Sequence, residues 1–333
     1  MRSSILVCLY EDRPKQIPGV KLLVLSLARY CPQWKIRLTM PGASASFENW
    51  IGKFPQVEMI YSKPEGGGSF NVKPAVLLEA LESGAPECLW IDTDVLVNSD
   101  PSSLLNVSPD TVIATQDPWE YADGSTHRAS TWSLKPGRSL PGPLNSSVVR
   151  VTQQHVPLMK AWRDILRRDW YLEMQSRPVG ARDRHVLSDQ DALSALLASE
   201  EFSSLPVKRL KHPSEILQHH GAGAYSLAER WQTLRTSLPT FLHAMGSVKP
   251  WQMQTAPSLF RNTRAYYERY YLELSPYMHV ARGYREELEE TGEWLEISTT
   301  LAKMSHMASL GSPSVQGLSQ ATLQRLTLSL RKR

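Results

Sequence analysis

The stretch CLWIDTDVLV, residues 88–97, has the pattern of a buried strand interrupted by two carboxylates. Side chains two residues apart on a strand point to the same face, so Asp92 and Asp94 converge if the strand end stays extended. Two carboxylates within an apolar run are costly unless a cation or hydrogen bonds compensate them. A divalent cation with oxygen ligands and a bound phosphate would do so. A strand end with a solvated aspartate in an Asx turn is the alternative, which this stretch alone leaves open.

Strand and helix patterns alternate before this stretch. Short apolar runs predict strands, and segments with helical spacing predict helices between them. The predicted strands are 5–10, 36–40 and 57–61, and the predicted helices are 20–30, 47–54 and 74–83. A β-α-β-α-β order implies a parallel sheet with crossover helices. The predicted fold class is therefore α/β, with a mostly parallel central sheet flanked by helices.

Composition narrows the class of protein. The chain has 333 residues, 41% of them hydrophobic, which is enough for one large or two modest domains. The net charge of +4 is mild and dispersed, which argues for no nucleic-acid partner but is compatible with anionic substrates such as nucleotide diphosphates. Three cysteines without a CxxC motif predict buried reduced thiols. No signal peptide or transmembrane run is recognised, so we expect a cytoplasmic protein.

The second half of the chain continues the pattern less regularly. Residues 117–143 contain Trp119, Tyr121, Trp132 and several prolines and glycines, which indicates an ordered or ligand-ordered binding loop rather than a linker. Further regular elements are expected after it. The predicted strands are 144–151, 207–210 and 240–243, and the predicted helices are 156–170, 189–198, 261–274 and 286–297.

The C-terminus differs in character from the rest. Residues 320–333 could form a basic amphipathic helix that makes a peripheral contact with anionic lipid or with a partner, and fraying at the terminus is the alternative. We expect a catalytic domain over residues 1–255, a helical extension over 256–310, and a linker with the basic tail over 311–333.

Three further polar segments accompany the two aspartates. Lys73 opens the helix before the aspartate stretch, and could reach a phosphate or a sugar unless it is a solvated surface lysine. The segment SDQD, residues 188–191, could bind sugar hydroxyls, or could simply cap its helix. The segment HAMGSVKPW, residues 243–251, combines an imidazole suited to a metal, a glycine that admits a phosphate and a lysine cation. A purely structural role explains this last combination less well.

Together these motifs resemble a known family. IDTD at 91–94 resembles the DxD motif of GT-A glycosyltransferases. HAMGSVKPW resembles the HxxGxxKPW segment of the retaining family 8 enzymes, which include glycogenin-like and lipopolysaccharide galactosyltransferase-like proteins. The resemblance covers residues 4–252, and the order of the motifs along the chain also fits. It implies the GT-A fold, and transfer of a sugar from a nucleotide diphosphate donor, presumed UDP-linked, to a hydroxyl acceptor with retention of anomeric configuration.

The resemblance also implies roles at matched positions. Asp92, Asp94 and His243 would bind Mn2+ (or Mg2+), and Gly246 and Lys249 would contact the donor diphosphate.

The remaining matches concern the sugar and the nucleotide. Lys73 stands where the family has a basic donor-binding residue, and Tyr10 lies where nucleotide contacts usually fall. The other matches surround the transferred sugar: they are Asn145, Ser147 and the catalytic pair Asp189 and Gln190. Ser147 departs from the family's glycine, which puts the identity of the donor sugar in doubt more than the type of reaction.

Other functions stay open at this point. An inverting GT-A transferase would need a carboxylate base near the acceptor, for which Asp191 is the candidate. A catalytically inactive sugar-nucleotide binding protein is the non-enzymatic alternative. A sugar-nucleotide-forming nucleotidyltransferase is less favoured, because the chain has no N-terminal glycine-rich signature with downstream Arg and Lys, and because the histidine segment would go unexplained.

Overall fold

The computed structural model describes residues 5–65, 69–118, 125–218, 226–246, 248–253, 259–289, 292–318 and 321–322. The chain forms two compact units, each built from segments that are not contiguous in sequence. The first unit contains Met1–Ile17, Cys31–Thr93 and Pro101–His212. The second unit contains Pro18–Tyr30, Asp94–Asp100 and Pro213–Arg333. The functional boundaries expected at residues 255 and 310 stay predictions.

The strands in chain order are β1 Leu6–Tyr10, β2 Lys35–Thr39, β3 Val57–Ile60, β4 Glu87–Ile91, β5 Val95–Val97, β6 Val112–Gln116, β7 Leu144–Thr152, β8 Val207–Leu210, β9 Ile216–Gln218 and β10 Phe241–His243. The α-helices are α1 Ile17–Tyr30, α2 Ala45–Ile51, α3 Lys73–Glu82, α4 Ser102–Leu105, α5 Ser125–Thr131, α6 Val156–Ile165, α7 Asp169–Ser176, α8 Asp189–Ala198, α9 Leu227–Leu234, α10 Thr263–Glu273, α11 Pro276–Ala281 and α12 Thr300–Ala308.

A seven-stranded sheet forms the centre of the first unit, with the order β3-β2-β1-β4-β7-β6-β8. Neighbouring strands from β3 to β4 are parallel, as are β6 and β8, whereas β7 runs antiparallel to both of its neighbours. The predicted α/β fold with a mostly parallel sheet is thus confirmed. The core on this sheet includes three tryptophans, Trp90, Trp132 and Trp162. Strand β4 is buried on both faces, which explains why its residues 88–91 form a continuous apolar run, and β7 is buried on both faces although it contains several polar residues.

The second unit has a small sheet of its own with the order β5-β10-β9. Strand β10 is antiparallel to β5 and parallel to β9. Among its helices, α10 carries a buried ion pair between Arg269 and Glu273, with Nε 2.8 Å from Oε1. The Glu273 carboxylate also accepts hydrogen bonds from the backbone N–H groups of Ser298 and Thr299. These bonds compensate a carboxylate that is fully buried.

The structure corrects the prediction of one strand over residues 88–97. Strand β4 ends at Ile91 in the seven-stranded sheet, and β5 begins at Val95 in the three-stranded sheet. The residues between them, Asp92 to Asp94, are not in a strand. Both strands are buried, so the hydrophobic pattern is continuous and gives no sign that the chain changes sheets between them.

Three other predicted elements also need correction. Residues 156–170 form two helices, α6 and α7, rather than one. Residues 117–143, predicted as a binding loop, include helix α5, and Trp132 just after it is fully buried in the core. Residues 286–297, predicted as a helix, contain only a short 3-10 turn at Glu293–Leu295 within the described part. Polar residues dominate α5, and its burial comes from tertiary contacts that the sequence pattern does not reveal.

The remaining general predictions have mixed outcomes. Cys8, Cys31 and Cys88 are free and buried, as predicted. Within the described ranges, no helix is long and apolar enough to cross a membrane. Trp119, Tyr121 and most of the predicted tail helix at residues 320–333 lie outside the described residues.

Candidate functional site

A buried lysine in the first unit is surrounded by acceptors. Lys73 Nζ lies 2.9 Å from Asp92 Oδ1, 3.4 Å from Asp189 Oδ2 and 2.8 Å from Ser146 Oγ. Only 3% of the surface of Lys73 is exposed, so it is not the solvated surface lysine of the alternative interpretation. We call Lys73, Asp92, Ser146 and Asp189 the lysine cluster. It holds one cation against two carboxylates, a net negative arrangement suited to a further positive or hydrogen-bonding group.

Each member of the lysine cluster sits at the end of an element or inside a strand. Lys73 is the first residue of α3 and is followed by Pro74, which is favoured in the first turn because it needs no backbone donor there. Asp92 directly follows β4, and its backbone N–H donates to Ser147 O at 2.8 Å. Trp90 Nε1 donates to Asp92 Oδ1 at 2.7 Å and thereby fixes the rotamer of this carboxylate.

A chain of amide contacts runs beside the lysine cluster. Asn145 Nδ2 donates to Gln190 Oε1 at 2.8 Å, and Gln190 Nε2 donates to Asp117 Oδ2 at 3.0 Å. Both ends of the Gln190 amide are therefore held by protein groups. The Ser147 hydroxyl is fully buried and lies 3.3 Å from Thr115 Oγ1, while Asn145 Oδ1 accepts from Ser147 N. These contacts order the start of β7.

The two aspartates of α8 are both shifted toward the neutral form. Burial raises the pKa of Asp189, and the charge of Lys73 and the hydrogen bond from Ser146 oppose this effect. Burial also raises the pKa of Asp191 to about 6, against the opposing charge of Arg128. Arg128 Nε lies 3.0 Å from Asp191 Oδ1. Asp191 also accepts from the backbone N–H of Leu187 and Ser188 and so caps its own helix.

Tyr10 lies at the end of β1, where its hydroxyl donates to Asp12 Oδ2 at 3.0 Å. Burial and the neighbouring Asp12 raise the pKa of Tyr10, so the phenol stays protonated at neutral pH. Next to it, the buried carboxylate of Glu11 accepts from Thr93 Oγ1 at 2.7 Å and from Arg13 Nε at 2.7 Å. Thr93, the residue between the two aspartates, is thus fixed by the loop after β1.

In the second unit, three predicted residues converge. His243 Nε2 lies 3.3 Å from Asp94 Oδ1, and Lys249 Nζ forms an ion pair with Asp94 Oδ2. We call Asp94, His243 and Lys249 the histidine cluster. The small sheet explains this convergence, because His243 pairs with Val95, the residue after Asp94. Ala244 N also donates to Asp94 O at 2.9 Å. Lys249 Nζ additionally donates to Ala244 O at 3.0 Å.

The orientation of the imidazole suits a metal ion. His243 Nδ1 lies 3.1 Å from Gln218 Oε1, on the neighbouring strand β9. An amide oxygen only accepts hydrogen bonds, so Nδ1 donates to Gln218 and Nε2 is the ring nitrogen that faces Asp94, where it can offer a lone pair to a metal ion. A lone pair that faces a carboxylate oxygen is poorly compensated without a cation between them. Asp94 and His243 each offer one ligand atom to such an ion, and carboxylate with imidazole suits Mn2+ and similar ions.

Electrostatics in the histidine cluster favour a charged Asp94. Burial would raise the pKa of Asp94, but the charges and hydrogen bonds of Lys249 and His243 outweigh it and hold the pKa far below its ordinary range. Gly246 has φ of 133°, a conformation that a residue with a Cβ rarely adopts. The backbone of this loop therefore depends on a glycine at the predicted position.

The predicted residues thus fall into two groups by unit. Lys73, Asn145, Asp189 and Gln190 lie close to Asp92 in the first unit, and Asp94, His243 and Lys249 lie together in the second. Sequence reasoning missed several partners of these residues, which are Glu11, Asp117, Arg128, Ser146 and Gln218. Ser146 had a usable signal, since it lies between the two predicted residues Asn145 and Ser147. Asp117 and Gln218 had none, because polar residues at strand ends are common and predict no particular partner.

No protein-family model and no curated protein matches this sequence. Solved structures of glycosyltransferases are similar to it. WbbM, a bifunctional glycosyltransferase, matches in its apo structure with a TM-score of 0.51 and 14% identity, over 75% of this chain and 47% of that chain. GlyE from Streptococcus pneumoniae TIGR4 matches with a TM-score of 0.47 and 12% identity, over 86% of this chain and 64% of that chain. The galactosyltransferase LgtC, in complex with donor and acceptor sugar analogs, matches with a TM-score of 0.45 and 18% identity, over 78% of this chain and 95% of that chain.

The likeness to WbbM confirms the predicted α/β fold of the GT-A type. The chain spans about half of the length of WbbM, 47%, and 64% of the length of GlyE. At such identities the likeness shows the fold alone, so an activity has to be argued from the residues of the two clusters.

Proposed function

We propose that this chain is a glycosyltransferase that moves a sugar from a nucleotide diphosphate donor, UDP-linked, to a hydroxyl acceptor. The histidine cluster carries the proposal. It combines a charged carboxylate, an imidazole nitrogen and a lysine cation, which are the groups needed to bind a divalent ion and a diphosphate. Leaving-group departure in such a reaction develops negative charge on the diphosphate, and Lys249 with the Gly246 backbone would stabilise that charge.

The proposed metal ligands are Asp92, Asp94 and His243. Support for Asp94 and His243 comes from their mutual geometry within the second unit. Support for Asp92 comes from the sequence, because one residue separates it from Asp94. When bound, Mn2+ or Mg2+ would neutralise the diphosphate and make it a better leaving group.

The lysine cluster and the neighbouring amides are the proposed sugar site. Asp189 and Gln190 would accept and donate hydrogen bonds to the sugar hydroxyls, with Lys73, Asn145 and Ser147 behind them. Asp189 and Lys73 are almost fully buried. A hydrogen bond between either residue and a sugar hydroxyl would therefore form away from bulk water, where hydrogen bonds are stronger. Tyr10 would contact the nucleotide from the end of β1.

We further propose retention of the anomeric configuration, as in the family 8 enzymes that the motifs resemble. Front-face attack, in which a leaving phosphate oxygen takes the proton of the acceptor, requires no protein base. Asp191, the candidate base of an inverting enzyme, accepts hydrogen bonds at both of its oxygens, from Arg128 at Oδ1 and from the backbone N–H groups of residues 187–188 at Oδ2. Such a carboxylate is poorly placed to reach an acceptor, which favours retention over the inverting alternative.

Donor hydrolysis tests the activity and the metal together. Wild-type protein with UDP-sugars and added Mn2+ is expected to release UDP, and Asp94→Asn and His243→Ala should each lower this rate about 100-fold or more, by analogy with losing a charge-stabilising group. Asp164→Asn is a matched control, because Asp164 is exposed and pairs with its neighbour Arg163. Turnover at the wild-type rate in both variants would refute the metal assignment, and tight UDP binding without turnover would favour the inactive binding protein.

The stereochemical proposal has its own measurement. NMR of the first product formed should show the anomeric configuration of the donor sugar. The inverted anomer would refute retention and leave the proposed transfer reaction standing.

We also propose a peripheral contact between the C-terminal region and an anionic lipid surface. Met304, Met307 and Leu310 on and just after α12 are 58%, 68% and 96% exposed. Residues 297–333 contain five Lys and Arg residues and no Asp or Glu. Apolar side chains with basic neighbours favour an anionic membrane interface. The protein should co-sediment with vesicles that contain phosphatidylserine but not with neutral vesicles. Equal co-sedimentation with both kinds of vesicle would refute the electrostatic contact. The cytoplasmic location itself stays a prediction.

A further inference from the structure

Tyr277 in helix α11 has an unexplained polar atom. The residue is 1% exposed, and its hydroxyl has no hydrogen-bond partner within the described part of the chain. Its neighbours in the helix, Met278 and Ala281, are fully buried apolar residues. Phenylalanine would fill the same space without burying a hydroxyl group. A buried phenol therefore needs a reason beyond packing.

The surroundings of Tyr277 point to the histidine cluster, which lies in the same unit. Helix α11 packs against β10, the strand that ends at His243. The Tyr277 ring lies 6.4 Å from the ring of Trp251, two residues after Lys249. Burial raises the pKa of Tyr277, and the negative charge of Asp94 raises it further. The phenol thus stays protonated and lies within the electrostatic reach of Asp94.

A protonated phenol in this position can stabilise a bound anion by donating a hydrogen bond to it. In the described structure, the Asp94 carboxylate contacts His243 and Lys249, and it does not accept a hydrogen bond from the hydroxyl of Tyr277. An incoming diphosphate brings several additional acceptor oxygens to the same cluster. Its charge makes each hydrogen bond to it stronger than one between neutral groups.

We propose that Tyr277 is a further binding residue of the histidine cluster, whose hydroxyl donates a hydrogen bond to a phosphate oxygen of a bound nucleoside diphosphate. The assignment rests on the proposed function. It places a residue from the C-terminal helices, outside the segment that carries the sequence motifs, in direct contact with the leaving group. It also explains why a tyrosine occupies a position that packing alone would give to phenylalanine.

Calorimetry with UDP and Mn2+, and separately with inorganic pyrophosphate and Mn2+, tests this contact in the full chain. Tyr277→Phe should bind both ligands about 10-fold more weakly than wild type, which corresponds to about 1.4 kcal/mol. Because the hydroxyl has no partner in the protein, the Tm of the unliganded variant should equal or exceed that of wild type. Tyr284→Phe is the matched control. It changes another buried tyrosine of the same unit, whose charged neighbours are Arg29 and Glu287, and should leave both affinities unchanged.

The outcomes separate the two levels of the proposal. Wild-type affinity in Tyr277→Phe, while wild type binds UDP, overturns the role of Tyr277 and leaves the proposed function intact. A Tm several degrees below that of wild type also overturns it, because the hydroxyl would then have a structural partner. Absence of UDP and pyrophosphate binding in wild type overturns the proposed function and the role of Tyr277 together.

Discussion

Replacing Lys73 by methionine tests whether the lysine cluster depends on its central cation. Methionine retains most of the apolar stem, so the change removes the charge and its hydrogen bonds with little loss of packing. In wild type, Nζ lies 2.9 Å from Asp92 Oδ1, 2.8 Å from Ser146 Oγ and 3.4 Å from Asp189 Oδ2. Without it, Asp189, which is 2% exposed, keeps only the hydroxyl of Ser146 as a charge-stabilising partner among these groups.

The expected loss follows from the burial of Asp189. Removing one member of a buried pair costs about 3–5 kcal/mol, because the other charge stays buried without compensation. We expect about 3 kcal/mol for Lys73→Met, at the lower end, because the Ser146 hydroxyl still donates to Asp189. Urea denaturation followed by tryptophan fluorescence and by circular dichroism measures this loss as a lower midpoint at an unchanged m value.

A double mutant and a pH series make the test specific. Lys73→Met combined with Asp189→Asn removes both charges and should recover at least about 1 kcal/mol relative to the single variant. Burial raises the pKa of Asp189 and Lys73 opposes this rise, so the single variant should raise it further. A carboxyl with a raised folded pKa contributes stability at low pH and loses it as the pH rises. The defect of Lys73→Met should therefore be smaller at pH 5 than at pH 8. A loss below about 1 kcal/mol that is independent of pH would refute this reasoning.

Three further predictions concern stability. Hydrogen bonds from Ser298, Thr299 and Arg269 hold the pKa of Glu273 below its ordinary range despite burial, so the stability that this carboxylate contributes is lost as the pH falls. The Tm of Glu273→Gln should therefore approach that of wild type in acid, and a difference in Tm that does not change with pH would contradict this. Trp132→Ala leaves a cavity at a fully buried site and should lower the free energy of unfolding in urea by about 3–5 kcal/mol. A decrease below about 1 kcal/mol would contradict this prediction. Gly137→Ala would place a Cβ 2.4 Å from Glu200 Cα and should cost about 1–3 kcal/mol, whereas the unobstructed Gly180→Ala should be neutral, and equal effects would contradict the packing argument.

The sequence predicted well those features that depend on local periodicity. The alternation from β1 to β4 followed from apolar runs and helical spacing, and α8 was predicted with the bounds that the structure has, 189–198. The sequence also identifies the histidine segment by its own residues, although the pairing of β10 with β5 is what brings His243 and Lys249 to Asp94. In these cases the information lies within a few turns of chain.

The parts that were missed depend on contacts distant in sequence. Helix α5 has a polar sequence, and its burial rests on the ion pair of Arg128 with Asp191, 63 residues further along the chain. Strand β9 has three residues, too few for any periodicity, and owes its existence to pairing with β10. Residues 286–297 have helical spacing, but the part of this range that the structure describes contains only a short 3-10 turn. Periodicity carries no information about such partners.

The pairing of β5 with β10 has a consequence for synthesis of the chain on the ribosome. Val95–Val97 emerges long before its partner, Phe241–His243, which is translated only after more than 140 further residues. Until then this apolar strand exposes backbone groups that can pair with other nascent chains. A ribosome that stalls between the two strands would therefore leave an aggregation-prone intermediate, and chaperones that bind short apolar segments should recognise residues 95–97 in such arrested chains.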